Sequence, residues 1–236
     1  MLKNFFPNKI LSLNNNFVKN LSIGMILIVL VGLIFALFIS PPDYIQGESV
    51  RIMYVHVPSS FIALGCFAFI GISSILNLTF KIKFLPLMAK SLAPVGCIFS
   101  VISIVTGSLW GKPTWGTWWV WDARLTSMTV LFLFYIAYIF TWKFINNFER
   151  ANNISSVIGI IGSFNLPIIR YSVDWWNTLH QPSSITLTSA PSIHHTMLIP
   201  LLIMFFGMLA YSIIIFLIKY KTELMKFKLS KIKDKK

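Results

Sequence analysis

Long apolar runs alternate with short polar or aromatic stretches along most of the chain. Six runs approach or reach the roughly 20 residues that an α-helix needs to cross a bilayer. They cover residues 21–40, 57–79, 87–109, 126–144, 154–169 and 197–218. Pro41 and Pro42 close the first run. The third contains Pro94 and Gly96, which helices in a bundle tolerate because neighbours satisfy the freed backbone groups. The fifth is short and contains Pro167, so its helical pattern is the weakest. No internal repeat is seen. The pattern predicts an all-α membrane protein, a bundle of six transmembrane helices spanning 21–218. It is flanked by an Asn- and Lys-rich segment at 1–20 and a basic tail at 219–236, solvated or lying on anionic lipid headgroups.

Composition agrees: 56% of the 236 residues are hydrophobic and 11% charged, against about 25% charged in a soluble domain. Cys66 and Cys97 lie inside apolar runs and form no CxxC or CxxCH, which excludes a thioredoxin-like motif and a self-attached haem. They read as small buried thiols. No small-residue cleavage site follows the first run, so it is read as a retained helix rather than a secretory signal.

The net charge of +13 changes the picture only once it is placed. An even number of spans puts both termini on one side. That side receives Lys3, Lys9, Lys19, Lys81, Lys83, Lys90, Lys143, Arg150 and every lysine from Lys219 onward. The other receives only Arg51, Lys112, Arg124 and Arg170. By the positive-inside rule both termini are cytoplasmic. The basic excess is therefore a topology signal, and nucleic acid is not implied as a partner.

Three segments then face outward, 41–56, 110–125 and 170–196, and loops on a rigid scaffold are where function concentrates. The middle one holds Trp110, Trp115, Trp118, Trp119 and Trp121, followed by Asp122 and Arg124. An aromatic belt would spread tryptophans over many helix ends and both leaflets. Here five of the eight crowd one loop, which suits a platform for a flat aromatic ligand. All four histidines are also outside: His56, His180, His194 and His195. A lone interfacial histidine is often merely hydrogen-bonded. Two imidazoles from different loops, flanking a tryptophan platform, can however ligate one haem iron axially. Zinc needs three or four ligands and no indole platform. His194 and His195 are adjacent at a helix start and point in different directions, so they make a weaker pair. Arg51 and Arg124 can meet two haem propionates. Arg124 can equally pair with Asp122 or a lipid phosphate. Asp122 can serve an indole N–H, a turn or an arginine.

The run Trp115-Gly-Thr-Trp-Trp-Val-Trp-Asp122 resembles the WWD signature of membrane haem-handling proteins in cytochrome c biogenesis. Its continuation Ala123-Arg-Leu-Thr-Ser127 resembles the branch called haem exporter protein C. So do Arg51-Ile-Met-Tyr-Val-His56-Val-Pro58 and Trp175-Trp-Asn-Thr-Leu-His180-Gln181. The resemblance runs from about Asp43 to Ile218 and rests on three motifs in matching order. It implies six spans in a bacterial inner membrane, with both termini cytoplasmic and a haem site on the periplasmic face. It implies transient, non-covalent haem b with His56 and His180 as axial ligands, a cradle of tryptophans, and Arg51 and Arg124 at the haem. The implied task is delivery to a periplasmic haem chaperone during cytochrome c maturation. The implied partners are ATP-binding-cassette subunits and a very small single-span subunit. His194-His195 has no counterpart in the pattern.

No nucleophile with a base, carboxylate pair or phosphate loop is evident, so the chain reads as a haem handler rather than an enzyme. One rival is a membrane redox protein with permanent haem, which would set histidines mid-span. Another is a transporter moving haem through its own bundle, which would place polar or broken helices near the midplane.

Overall fold

A computed structural model describes residues 9–82, 84–181 and 190–233. Residues 1–8 of the N-terminal segment, Lys83, 182–189 of the third outer segment and 234–236 of the tail lie outside the described residues. Among those described, secondary structure is helical apart from one isolated bridge between Asp43 and Gly47.

Among the described residues, beyond a short helical stretch at 9–11, seven helices follow one another: α1 Asn15–Ile34, α2 Met53–Phe80, α3 Leu85–Trp115, α4 Ala123–Phe144, α5 Phe148–Ser163, α6 Asn165–Trp175 and α7 His195–Lys233. A π turn, Phe35–Ile39, extends α1, and a 3-10 turn, Glu48–Ile52, leads into α2. Taken with these extensions, and with α5 and α6 as one span, they give six helical spans long and apolar enough to cross a membrane. The six-helix, all-α expectation holds.

The boundaries move at three places. Helix α3 continues through Pro113 to Trp115 and ends where Gly116 adopts φ +78°, so Trp110 and Trp115 ride on a helix rather than on a loop. The loop is shorter than 110–125, because Asp122 already caps α4 by accepting from the Leu125 N–H at 2.8 Å. The fifth span is two helices broken at Phe164. Pro167 falls in the first turn of α6, where a missing N–H leaves no helical bond unmade. Up to Lys233 the basic tail continues the last helix. Helix α7 runs 39 residues, about 58 Å at 1.5 Å per residue, well beyond a hydrocarbon core of about 30 Å.

Helix α2 is the centre. It packs on α3, α5 and α7, while α3 also meets α4 and α7, α4 meets α5 and α6, and α1 leans on α7. Tyr54, Phe67, Ile70, Leu131, Tyr135 and Met204 are buried in the core. Small residues set the approach, as expected where lipid provides no hydrophobic drive between helices. A Cβ on Gly71 would strike the Ser163 hydroxyl, one on Gly159 that of Ser74, and one on Gly96 the phenol of Tyr135. The Tyr135 hydroxyl donates to the Ala63 carbonyl at 2.6 Å. Cys66 and Cys97 are free and buried. The beginning of α1 and the end of α7 lie together, for Lys221 Nζ donates to the Leu13 carbonyl at 2.7 Å. The opposite end of the bundle gathers the three aromatic and histidine-bearing segments.

Candidate functional site

His56 stands in the first turn of α2, and His180 in the chain that leaves α6. Their rings meet with centroids 6.4 Å apart and planes at 36°. Two metal–nitrogen bonds of about 2 Å plus two ring radii of about 1 Å would place a pair of axial imidazoles roughly 6 Å apart. The spacing therefore suits one metal centre between the rings. Among the described residues no group of three or more His, Cys, Asp or Glu is placed to hold a metal ion.

The two rings are held differently. His56 Nδ1 lies 3.0 Å from the Ser103 carbonyl and 3.2 Å from Thr106 Oγ1. The carbonyl only accepts, and Thr106 already donates to the Ile102 carbonyl at 2.6 Å. The proton therefore sits on Nδ1, and Nε2 keeps its lone pair. Close beneath is Gly107, where a Cβ would stand 2.9 Å from His56 Cε1. His180 Nδ1 faces two rivals. Arg124 Nη1 is 3.0 Å away and can only donate, while the Gln181 carbonyl at 3.1 Å can only accept. One bond requires a bare Nδ1, the other an Nδ1–H. Burial, then the Arg124 charge, push the His180 imidazole below its ordinary value, which favours the neutral form.

Tryptophans divide into two sets. Trp110 sets its edge against His56, with centroids 5.8 Å apart, and Trp115 lies 6.0 Å from His180. Trp118 and Trp121 are exposed, at 52% and 81%. Trp119 packs edge-on against Trp121, and its buried indole N–H has no acceptor among the described residues. Such a donor costs about 1–3 kcal/mol when left unpaired. The loop is tied back onto α3 by Ser108, whose hydroxyl donates to the Trp118 carbonyl at 2.7 Å.

Arg124 also donates through Nε to the Ile169 carbonyl at 3.2 Å and through Nη2 to that of Arg170 at 3.3 Å. It thereby clamps the middle of α6 to the start of α4. Three of its five N–H groups are engaged in this way. Asp122 does not pair with it in a salt bridge. One carboxylate oxygen caps α4, and the other accepts from Thr178. Thr178 in turn accepts from the His180 backbone N–H at 3.1 Å. Arg51 donates to the Ala36 and Ser40 carbonyls, each at 2.9 Å, and pairs with Glu48.

Several of these partners are not read from the sequence. Gln46 accepts from the Trp110 indole at 2.7 Å and donates to the Gln181 side chain at 3.1 Å, joining all three segments. Its loop is a tight turn in which Gly47 has φ +56° and Asp43 Oδ1 accepts two backbone N–H groups. Ser103, Thr106 and Gly107 share one face of α3 by helical spacing, the only local hint that something packs there. His194 and His195 contact each other, with ring centroids 4.0 Å apart, at the start of α7.

Known proteins share this sequence over nearly its whole length. A family model described as heme exporter protein C matches residues 2–235. A Haemophilus influenzae protein named heme exporter protein C is 42% identical over 196 residues, 83% of this chain and 80% of that one. A protein of the same name from Escherichia coli K12 is 38% identical over 219 residues, 93% and 88% of the two chains. A Marchantia polymorpha mitochondrial protein, named for cytochrome c biosynthesis, is 41% identical over 192 residues, 81% of each.

Proposed function

The chain belongs to the heme exporter protein C family, and from that premise we propose that it holds haem b briefly and passes it on during cytochrome c maturation. The observation that carries this reading is the facing of His56 and His180 with centroids 6.4 Å apart. Haem is the cargo. Its iron takes Nε2 of each imidazole, which are soft enough as ligands to be exchanged. Trp110 and Trp115 flank the two ligands, and Trp118, Trp119 and Trp121 wall the exposed side of the porphyrin. The unpaired Trp119 N–H, the remaining N–H groups of Arg124, and Arg51 receive the propionates. Asp122 acts at one remove, through Thr178, on the backbone of His180.

In this reading the site faces the periplasm from a bacterial inner membrane, with both termini in the cytoplasm. The acceptor is a periplasmic haem chaperone, whose own side chain makes the covalent bond. ATP-binding-cassette subunits and a very small single-span subunit complete the complex. The chain acts as platform rather than catalyst. The test is the visible spectrum of the purified protein with haem, beside His56→Ala and His180→Ala. Each variant is expected to lose the bis-imidazole spectrum, and an unchanged spectrum in both overturns the ligand assignment. Refusal to yield haem to a soluble acceptor in either redox state overturns delivery in favour of permanent haem.

A further inference from the structure

We propose that the notch between α1 and α7, at the end of the bundle carrying the two termini, binds one anionic phospholipid, with Lys19 and Lys221 holding its phosphodiester. The notch has a volume of about 450 Å³. Below it α1 and α7 pack closely. At the deeper level a Cβ on Gly32 would stand 2.7 Å from Met204 Sδ, and one on Gly207 3.1 Å from Val29. About a dozen residues of helix separate these contacts from the rim, enough for a small crossing angle to open a gap.

Its lining is graded along the membrane normal. Lys19, Lys221 and Asn15 stand at the rim. One turn deeper come Ser22 and the aliphatic side chains of Leu217 and Ile218. Lys221 is held in place, donating to the Leu13 carbonyl at 2.7 Å and to Asn15 Oδ1 at 2.9 Å. An ammonium has three protons, so one remains for a ligand. With its amide oxygen engaged, Asn15 offers its NH₂. Among the described residues no carboxylate lines the notch, and Glu223, the nearest acid on α7, is bound to Lys90 and Lys226. Two cations thus face one cavity uncompensated, which favours an anion.

A free phosphate would satisfy the rim and leave the apolar floor in contact with water. A phospholipid fills both, with its phosphate at the lysines and its glycerol and first methylenes on the floor. The Ser22 and Thr222 hydroxyls donate to the Val18 and Ile218 carbonyls. The Thr222 oxygen, beside Lys221 at the rim, remains an acceptor suited to a headgroup that bears hydroxyls, such as glycerol, and that of Ser22 faces the lipid's own glycerol below the phosphate. The site lies at the far end from the histidine pair and does not depend on the reading of that pair.

The experiment uses the full chain in nanodiscs of phosphatidylcholine containing a minor share of phosphatidylglycerol. After extraction into detergent, retained lipid is counted by native mass spectrometry. Wild type is expected to keep one phosphatidylglycerol in preference to phosphatidylcholine. Lys19→Gln/Lys221→Gln should lower that retention on the order of tenfold or more. Lys228→Gln/Lys231→Gln, with the same loss of charge elsewhere on the helix, should leave it unchanged. Ser22→Phe fills the floor while keeping both charges, and should lose the lipid as well. Equal losses in the two lysine pairs, or no preference for the anionic lipid in wild type, overturn the site. Lipid retained in Ser22→Phe, or full displacement of lipid by millimolar inorganic phosphate, overturns the phospholipid as its ligand.

Discussion

His56→Gly should weaken haem binding about tenfold more than His180→Gly, although the two residues are formally equivalent ligands. His56 already carries its proton on Nδ1, directed at the Ser103 carbonyl, so Nε2 is ready for iron. His180 must first choose between partners. While Arg124 donates to Nδ1 the proton resides on Nε2 and blocks ligation. To ligate, His180 gives up that charge-assisted bond and donates instead to the Gln181 carbonyl. A hydrogen bond to a charged group contributes about 1.5–3 kcal/mol and a neutral one about 0.5–1.5. The exchange therefore takes roughly 1–1.5 kcal/mol from the His180–iron bond, close to the 1.4 kcal/mol that makes a factor of ten.

The assay is haem titration of each glycine variant in nanodiscs, followed by absorbance, with and without free imidazole to fill the vacated position. Arg124→Met supplies the control. Without the guanidinium, His180 keeps Nδ1–H for Gln181, and the gap between the two glycine variants should close to about twofold. Both glycine variants are measured in the same background, so whatever Arg124 itself gives a propionate cancels in the difference. Equal affinities of His56→Gly and His180→Gly in the Arg124 background, or a gap that survives Arg124→Met, refutes the reasoning. The bis-imidazole spectrum of wild type would stand either way.

Acid should remove haem only below the ordinary imidazole range of about 6.5, because burial and Arg124 hold His180 below it. The sign follows from the lowered value. The neutral form contributes above the unfolded pKa, and that contribution is lost as pH falls through the folded one. Arg124→Met should move the midpoint of haem loss upward, and a wild-type midpoint at or above 6.5 by absorbance contradicts this. Gly107→Ala puts a methyl 2.9 Å from His56 Cε1, and should weaken haem binding by about 1–3 kcal/mol with a shifted Soret band and unchanged thermal stability. An unaltered spectrum would show that the ring has room. Gly96→Ala drives a methyl into the Tyr135 phenol and strains its bond to Ala63. It should lower the melting temperature in detergent, at a cost of about 1–3 kcal/mol, and a melting temperature equal to wild type would refute the packing.

What could be read from the sequence follows from what lipid demands. A bilayer leaves the backbone no water, so each span must be a long apolar helix, and six such runs stand out. Helix ends are harder, because a proline's effect depends on where in a helix it falls. Pro113 lies near the end of α3, where the bond it removes is one of the last, and the helix continues two residues beyond it to Trp115. Pro167 sits in a first turn, where nothing is lost. In both cases the proline's position within the helix decides, and that position depends on where the chain meets its neighbours.

The site divides along the same line. Imidazole, indole and guanidinium groups announce their chemistry by type, so His56, His180, Trp110, Trp115 and Arg124 could be picked out as candidates, and the fold brings these side chains together. Their partners could not. Gln46 has no distinguishing neighbour in the sequence, yet it joins Trp110 to Gln181 across 64 and 135 residues. Arg124 reads as a propionate anchor or a mate for Asp122. In the fold it reaches 45 and 46 residues along the chain to carbonyls in the middle of α6, and 56 to His180. The two proposed ligands are thus candidates by side-chain type, whereas the difference between them arises from contacts between separate elements. The function proposed above, holding haem and then giving it up, calls for both. The ready ligand is set by a single helix face, Ser103 to Gly107. The conditional one is set where α4, α6 and the chain after α6 converge, so changes at that junction should alter release before they alter binding.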